Sequence, residues 1–470
     1  MASTQQETIF WHDYETFGAN PAKDRPSQFA GVRTDLDLNI IEESVTFYCK
    51  VANDYLPQPE AILVTGITPQ LANLKGTVEP EFMDKVHSQF SRPNTCVAGY
   101  NSLRFDDEVT RYGFYRNFYD PYAREWQNGN SRWDIIDLVR ACYAFRPEGI
   151  VWPEKADGSP SFKLEDLTKA NGLSHDNAHD AMSDVYATID MARLIKQKQP
   201  KLYEYYFSLR RKAAVSKQID VLNMQPLAHV SSKINAMHGC TTLIAPLAHH
   251  SQNKNAVICV NLAMDVSPLL ELTADEIRQR MYTKRSELAE DELPIGLKQL
   301  HINKCPFIAP AKSLTDDNAQ RLDIDKEFAR AQYKRLRQHP EIREKLVAVF
   351  DVKHEQSSQD PDQQLYSGGF FSHADKSKME IIRHTAPKNL AALALDFDDP
   401  RLAEMLFRYR ARNYPETLDH SEQMRWREYC KERLNDPDYM VRLENLVNET
   451  ANDEAKQKLL TALCQYLGNL

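Results

Sequence analysis

From Thr8 to about Gln199, short β-rich runs (Thr8 to His12, Val45 to Lys50, Thr95 to Tyr100) alternate with stretches whose apolar positions recur at helical spacing. The helical stretches are about Phe105 to Asn117, Trp133 to Phe145, Phe162 to Ala170 and Ala178 to Lys196. The alternation predicts an α/β domain over 8–199 with helices covering a sheet. Pro200 closes its last helix, because proline cannot extend one. Over 200–352 the short apolar runs Thr242 to Ala245 and Ala256 to Leu262, with the proline-punctuated stretch Pro294 to Pro310, predict a small β-rich domain ending in a helix, Asp325 to Arg337. The polar segment Lys353 to Gln363 has little to bury and reads as a linker. Beyond it, Leu402 to Arg410, Ser421 to Leu434 and Val441 to Leu467 carry helical spacing, so a helical domain is expected over 353–470.

Composition narrows this picture. The 470 residues are 42% hydrophobic and 27% charged, with 15 Gly and 24 Pro, which excludes collagen-like and wholly disordered chains. With 58 Lys and Arg against 67 Asp and Glu, the net charge of −9 excludes a protein that coats nucleic acid through bulk positive charge. Any polyanion must find a local basic groove. The eight cysteines are scattered without a CxxC pair, so neither a zinc site nor a redox dithiol is expected. Met1 to Thr8 has no basic start followed by an apolar stretch, and no apolar run approaches membrane-spanning length; a cytoplasmic protein is expected.

The candidate chemistry begins where Thr8-Ile9-Phe10-Trp11-His12 runs into Asp13-Tyr14-Glu15. Period-two geometry puts Asp13 and Glu15 on one face of an extended chain. Two such anions repel unless something neutralises them, and a hard divalent cation such as Mg²⁺ or Mn²⁺ prefers carboxylate oxygens. Taken alone, the pair reads equally well as a surface turn. Asp106, Asp107 and Glu108 open a helix; for Asp107 and Glu108 the expected role is to complement its positive N-terminus. His179 and Asp184 lie near the start of another helix.

In this order and these settings, Asp13, Glu15, Asp106, His179 and Asp184 resemble the DEDDh family of 3′ to 5′ exonucleases, marked by His-x4-Asp, over roughly Ile9 to Ile195. Phe10 to Gly18, Ser131 to Asp134, Arg146 to Gly149, His301 to Pro306 and Tyr409 to Asn413 extend the likeness across the chain to the bacterial exodeoxyribonuclease I family. That resemblance implies a ribonuclease-H-like exonuclease domain, a β-rich SH3-like barrel and an α-helical C-terminal domain, together closing a groove around single-stranded DNA. It further implies a repair and recombination enzyme that releases 5′-mononucleotides. Two Mg²⁺ ions, with Mn²⁺ able to substitute, would be held by Asp13, Glu15, Asp106 and Asp184, and His179 would act as general base.

For the substrate, the resemblance singles out Arg111, Tyr122, Trp126, Arg140 and Lys163 in the nuclease domain, with Glu15 shared between metal and strand. Further along it marks Asn255, Asn303, Lys304, Tyr366 and Phe371. Such a mixture of cations and aromatics suits backbone neutralisation and base stacking. Trp133 and Tyr115 are expected in the core. Arg408, Arg410 and Arg412, two residues apart, show strand-like spacing and are expected in interdomain salt bridges. The family also binds the acidic, apolar-ended C-terminal tail of single-stranded DNA-binding protein. Arg146 and Tyr205 match positions around its pocket, while Lys326, Arg330, Lys334 and Arg337 give one helix a basic face to steer the tail. The protein is expected to be a monomer. Two rivals remain at this stage: a DEDDh ribonuclease trimming RNA 3′ ends, and a catalytically inactive DNA-binding adaptor that keeps the fold.

Overall fold

The computed structural model describes residues 6–175, 180–289, 292–351 and 359–469. The chain forms two compact units, neither continuous in sequence: Met1–Ser131 with Asp176–Tyr186 and Glu355–Leu470, and Arg132–His175 with Ala187–His354.

In the first unit, β1 (Thr8–Thr16), β2 (Pro26–Thr34), β3 (Val45–Tyr48) and β4 (Thr95–Gly99) are hydrogen-bonded in the order β3-β2-β1-β4. β1 runs antiparallel to β2 from Ile9↔Thr34 to Thr16↔Pro26, and parallel to β4 from Thr8↔Thr95 to Trp11↔Ala98. Ile9 and Trp11 are fully buried, as a central strand with covered faces requires. Between β3 and β4 lie three helices that the apolar spacing did not reveal: α1 (Pro59–Thr65), α2 (Pro69–Lys75) and α3 (Glu79–Phe90). Their signals are local. Each has proline in its first turn, Thr68 caps α2 by accepting from the Leu71 N–H, and Gly66 ends α1 with φ of 69°. Phe82, Val86 and Phe90 of α3 pack with Phe10, Phe29, Val97 and Phe114; burying one such side chain contributes about 1.5–3 kcal/mol. Phe114 belongs to α4 (Asp106–Arg116).

The helices His373–His384, Arg401–Asn413, His420–Leu434, Pro437–Glu449 and Glu454–Leu467 complete this unit. The single helix expected over Val441 to Leu467 is broken, because Asp453 caps a new one by accepting from the Lys456 N–H. Arg408, Arg410 and Arg412 lie on a helix, contrary to the strand-like reading, and among the described residues only the pair of Arg412 with Asp54 crosses between expected domains; Arg408 pairs with Asp360 and Asp362, and Arg410 with Glu422, inside the C-terminal one. Met379, Ile382, Leu402 and Met405 share one core with Tyr112, Tyr115 and Phe118. Likewise Tyr439, Leu443, Leu460 and Leu463 pack on Ile62 of α1. Much of the expected linker lies outside the described residues. Its end does not behave as one: Asp362 is buried, and Asp360 and Asp362 pair with Arg408.

The second unit takes most of β5 (Ser131–Asp134), then α5 (Ile136–Phe145) and α6 (Leu164–Ala170); α7 (Ala181–Lys198) begins in the first unit. Trp133, expected to start a helix, instead sits fully buried in β5. Five antiparallel strands follow: β6 (Leu227–Val230), β7 (Thr241–His249), β8 (Ala256–Asn261), β9 (Leu297–His301) and β10 (Ile308–Pro310). They pair in the order β10-β6-β7-β8-β9. The basic helix spans Lys326–Gln338, with Asp325 as its N-cap. Among the described residues no helix is long and apolar enough to cross a membrane.

Candidate metal centre

The site arises because β1 outruns its neighbour. Pairing with β4 stops at Trp11 and Ala98, β4 ends at Gly99, and the chain turns through Asn101, at φ of 59°, before α4 begins at Asp106. Gly99 is required there: a Cβ would lie 2.8 Å from the Ser102 Cβ and 3.0 Å from the His12 carbonyl oxygen. The carboxyl end of β1 is thereby left open beside the start of α4, the kind of place where parallel strands leave room for a ligand. Between Asp13 and Glu15, Tyr14 is buried in the core, and its hydroxyl accepts from the Thr110 hydroxyl at 3.1 Å. The Tyr14 N–H donates to Asp106 Oδ1 at 3.1 Å, which ties the first residue of α4 to β1.

From α7 comes Asp184, and ligand oxygens of Asp13, Glu15 and Asp184 lie within 4.8 Å of one another. Among the described residues no other three His, Cys, Asp or Glu side chains converge in this way. Glu15 is 8% exposed. Burial first, then the charges of Asp184, Asp106 and Asp180, pushes its pKa up to about 8. Asp13 is raised well above the usual carboxylate range by burial and by Asp106, Glu15, Asp184 and Asp180. Buried like charges of this kind are costly, and an all-oxygen donor set fits a hard divalent cation that would cancel the repulsion. His12 is buried against the Ala98 carbonyl at 3.0 Å and held neutral, its pKa lowered to about 4 by burial and then by Arg124. His179 lies outside the described residues.

The acidic triplet does more than complement a helix terminus. Successive helical residues point about 100° apart, so its three carboxylates diverge. Asp106 faces β1, Asp107 forms a buried pair with Arg124 at 2.5 Å, and Glu108 pairs with Arg111 at 2.7 Å. Asp107 and Glu108 are therefore structural ion-pair partners, where sequence alone showed only an acidic first turn.

The expected substrate residues fall in both units. In the first, Arg111 is buried, with its Nε and Nη2 donating to Glu125 at 2.8 and 3.1 Å and its guanidinium 5.4 Å from the Tyr122 ring. Trp126 is 66% exposed, and Tyr366 is also exposed. Phe371 is tucked in, stacked on Tyr115 at 5.8 Å with the Arg401 guanidinium above it; the neighbouring Phe370 is the one presented, 88% exposed. The resemblance singled out Phe371, whereas the exposed ring is that of Phe370. In the second unit, Arg140 is buried and paired with Asp137 at 2.8 Å, whereas Lys163 is exposed and 3.3 Å from Glu165. Asn255 accepts from Lys212, the Asn303 carbonyl accepts from Arg132 at 2.9 Å, and Lys304 is exposed.

A cavity of about 370 Å³ in the second unit is lined by Phe145, Arg146, Leu202, Tyr205, Phe307 and Pro310, among others. The Tyr205 hydroxyl donates to the Ile308 carbonyl at 2.7 Å, fixing one wall. On the basic helix Lys326 is paired with Asp316, Arg330 with Glu327, and Arg337 donates to the Asn223 carbonyl at 3.0 Å. Lys334 is exposed. Local carboxylates thus neutralise two of the four cations.

Three family models match the chain: Exonuclease over residues 10–192, Exonuclease I SH3-like domain over 210–352, and Exonuclease I C-terminal domain over 359–470. The chain is 53% identical over 467 residues to exodeoxyribonuclease I of Escherichia coli (strain K12), covering 98% of each. It is 50% identical over 462 residues to that of Haemophilus influenzae, again covering 98% of each. Among solved structures it resembles Escherichia coli exonuclease I in complex with a dA16 oligonucleotide, at 52% identity and a TM-score of 0.96, over 99% of this chain and 100% of that one. It also resembles the zinc ion bound form of the exonuclease I–ssDNA complex from the same organism, at 52% identity and a TM-score of 0.95, over 99% of each chain. A third likeness is to SSB/exonuclease I in complex with the inhibitor CFAM, at 51% identity and a TM-score of 0.93, over 99% and 100%.

Proposed function

The chain belongs to the exodeoxyribonuclease I family, whose activity is single-strand-specific 3′ to 5′ exodeoxyribonuclease, and from that premise we propose that Asp13, Glu15, Asp106 and Asp184 form its metal-dependent hydrolytic centre. Its fold is accordingly a ribonuclease-H-like exonuclease domain, an SH3-like domain and a helical C-terminal region. The observation that carries the site is the convergence of three carboxylates, two of them with raised pKa values. Two Mg²⁺ ions, replaceable by Mn²⁺, would supply the charge that an in-line phosphoryl displacement needs at its attacking and leaving oxygens. Strand pairing fixes Asp13 and Glu15, and the Tyr14 N–H orients Asp106. His179 takes the proton of the attacking water, and the product is a 5′-mononucleotide.

Strand grip falls to Tyr122, Trp126, Tyr366 and Phe370 by stacking, with Arg140, Lys163 and Lys304 supplying charge and Asn255 and Asn303 polar contacts, while Phe371 and Arg111, occupied by protein partners, support those aromatics from behind. We divide the chain into domains at 8–199, 200–352 and 353–470, supported by the ranges of the three family matches. The cavity beside Arg146 and Tyr205 suits the apolar, carboxylate-ended tail of single-stranded DNA-binding protein: an apolar lining takes the side chains and the guanidinium the carboxylate. Lys326, Arg330, Lys334 and Arg337 would steer the acidic part of that tail. Within the cell we place a monomeric enzyme in the cytoplasm, acting in DNA repair and recombination.

End-labelled single-stranded DNA, duplex DNA and RNA of one sequence, incubated with Mg²⁺ or EDTA and resolved by size, test this reading. Stepwise shortening of the single-stranded DNA from its 3′ end with Mg²⁺ alone is expected. Preferential digestion of the RNA would favour the ribonuclease instead. His179→Ala should lower kcat about 10²- to 10⁴-fold and flatten the acid limb of the pH–rate profile.

A further inference from the structure

The aromatic segment that follows Asp362 is held against α4 at a point two residues from Asp106. Tyr366 donates its hydroxyl proton to Glu108 and accepts from Arg111 Nη1 at 3.0 Å; the same Nη1 donates to the other Glu108 oxygen at 2.7 Å. With Nε and Nη2 on Glu125, Arg111 has spent four of the five N–H groups a guanidinium offers. It is better placed to hold Tyr366 and Glu125 than to grip phosphate. Its guanidinium carbon also lies over the Tyr122 ring, which is steeply inclined to that of Phe370 with centroids 6.3 Å apart. Tyr366 remains 55% exposed although its hydroxyl is pinned, so the latch presents the ring instead of burying it.

The two ends of the segment are fixed separately. Leu365 is in the core, and Arg401 donates to the Gln364 and Gly369 carbonyls, both at 3.1 Å. A Cβ on Gly368 would lie 1.7 Å from the Arg401 guanidinium, so a larger residue there would have to displace Arg401 from these carbonyls. Between these anchors, Glu108 is the charged acceptor that sets where Tyr366 stands.

We propose that Glu108 is a positioning residue for strand retention: through Tyr366 it locks the aromatic segment to the helix that carries Asp106, and so governs how many nucleotides are removed per encounter. The inference rests on the exonuclease reading above. Glu108 bonds to Arg111 and Tyr366 and not to Asp13, Glu15, Asp106 or Asp184, so its loss acts on dissociation and not on hydrolysis.

The test compares run length on a long 5′-labelled single strand, with excess unlabelled trap, against kcat on a dinucleotide. Glu108→Ala should shorten the run about tenfold, the effect of losing one hydrogen bond to a charged group, while dinucleotide kcat changes by less than about twofold. Tyr366→Phe should shorten the run similarly, and the double variant less than additively, because both remove the Tyr366–Glu108 contact although each also loses its own contact with Arg111. Glu108→Gln, whose oxygen can still accept from Arg111 while its amide donates to the Tyr366 hydroxyl, should restore most of the run. If Glu108→Ala melts below the assay temperature, Tyr366→Phe, which deletes a single oxygen, carries the test. Additive losses in the double variant, a Glu108→Gln run as short as that of Glu108→Ala, or a fall in dinucleotide kcat with run length intact would overturn the proposal. Absence of digestion by the wild type would instead refute the exonuclease reading itself.

Discussion

Two groups of buried charges in the same compact unit have opposite fates. At the carboxyl end of β1, Asp13 and Glu15 are pushed up in pKa by burial and then by the neighbouring carboxylates of Asp106 and Asp184. Near the C-terminal helices, Asp54 and Asp362 are buried more completely, yet both are pulled below the usual carboxylate range. Burial opposes their charge, but Arg412 outweighs it: its Nε donates to both Asp54 oxygens at 3.0 and 2.9 Å, and its Nη2 to Asp362 at 2.5 Å. Arg408 adds Asp360 and Asp362, and Arg433 adds Asp360 again. Both regions carry a desolvation cost. The second offsets it internally and serves to join the C-terminal helices to the sheet region; the first leaves it to an external cation, which is what a binding site does.

The largest expected effect tests the first half of that contrast. Asp13→Asn or Asp184→Asn should lower turnover by at least about a thousandfold, since metal placement supplies most of the stabilisation of the transition state. Single-strand Kd measured with Ca²⁺ should change little, and the metal-free melting temperature should hold or rise because a repelling charge has gone. Near-normal turnover in either variant would break the assignment of the cluster to metal.

The second half predicts damage of another kind. Arg412→Met strands two buried carboxylates, and removing one partner of a buried ion pair costs about 3–5 kcal/mol. Denaturant unfolding should show that loss, while dinucleotide turnover at low temperature stays close to wild type. If stability is unchanged, the network contributes nothing net and the comparison loses one side.

How far the sequence revealed these regions follows from what each depends on. Asp13 and Glu15 could be placed on one face because strand period is a local property, and their convergence with Asp184 was inferred only from a pattern of motifs. The Arg412 network was glimpsed as salt bridges, but its helix was misread: charges at i, i+2 and i+4 can line a strand or spread around a helix, and spacing does not distinguish them. Helix α3 escaped although Phe82, Val86 and Phe90 sit at i, i+4 and i+8, because it is short and lies in a polar stretch. The roles of Asp107 and Glu108 depend on Arg124, Arg111 and Tyr366, and no local pattern names partners brought together by the fold. The pinned state of Arg111 was invisible for the same reason.

The smallest effect separates the two regions by the sign of their pH dependence. Glu15 keeps its proton in the folded, metal-free protein up to about pH 8, whereas in the unfolded chain it releases it near 4.5. The native state therefore binds more protons across that window, and stability must fall as pH rises through it. Asp54 and Asp362 behave in reverse: their lowered pKa values give stability that is present above the unfolded value of 3.8 and is lost as pH falls below it. In EDTA, the wild-type melting temperature should decline between about pH 5.5 and 8, and Glu15→Gln should flatten that decline by several degrees. Below pH 4 the two proteins should fall together, since the Arg412 network is intact in both. Adding Mg²⁺ at pH 8 should raise the wild type and leave Glu15→Gln behind, because a ligand stabilises only the state that binds it. Equal slopes in EDTA would mean that Glu15 is not protonated at neutral pH, and that the cluster is already compensated by groups of the protein itself.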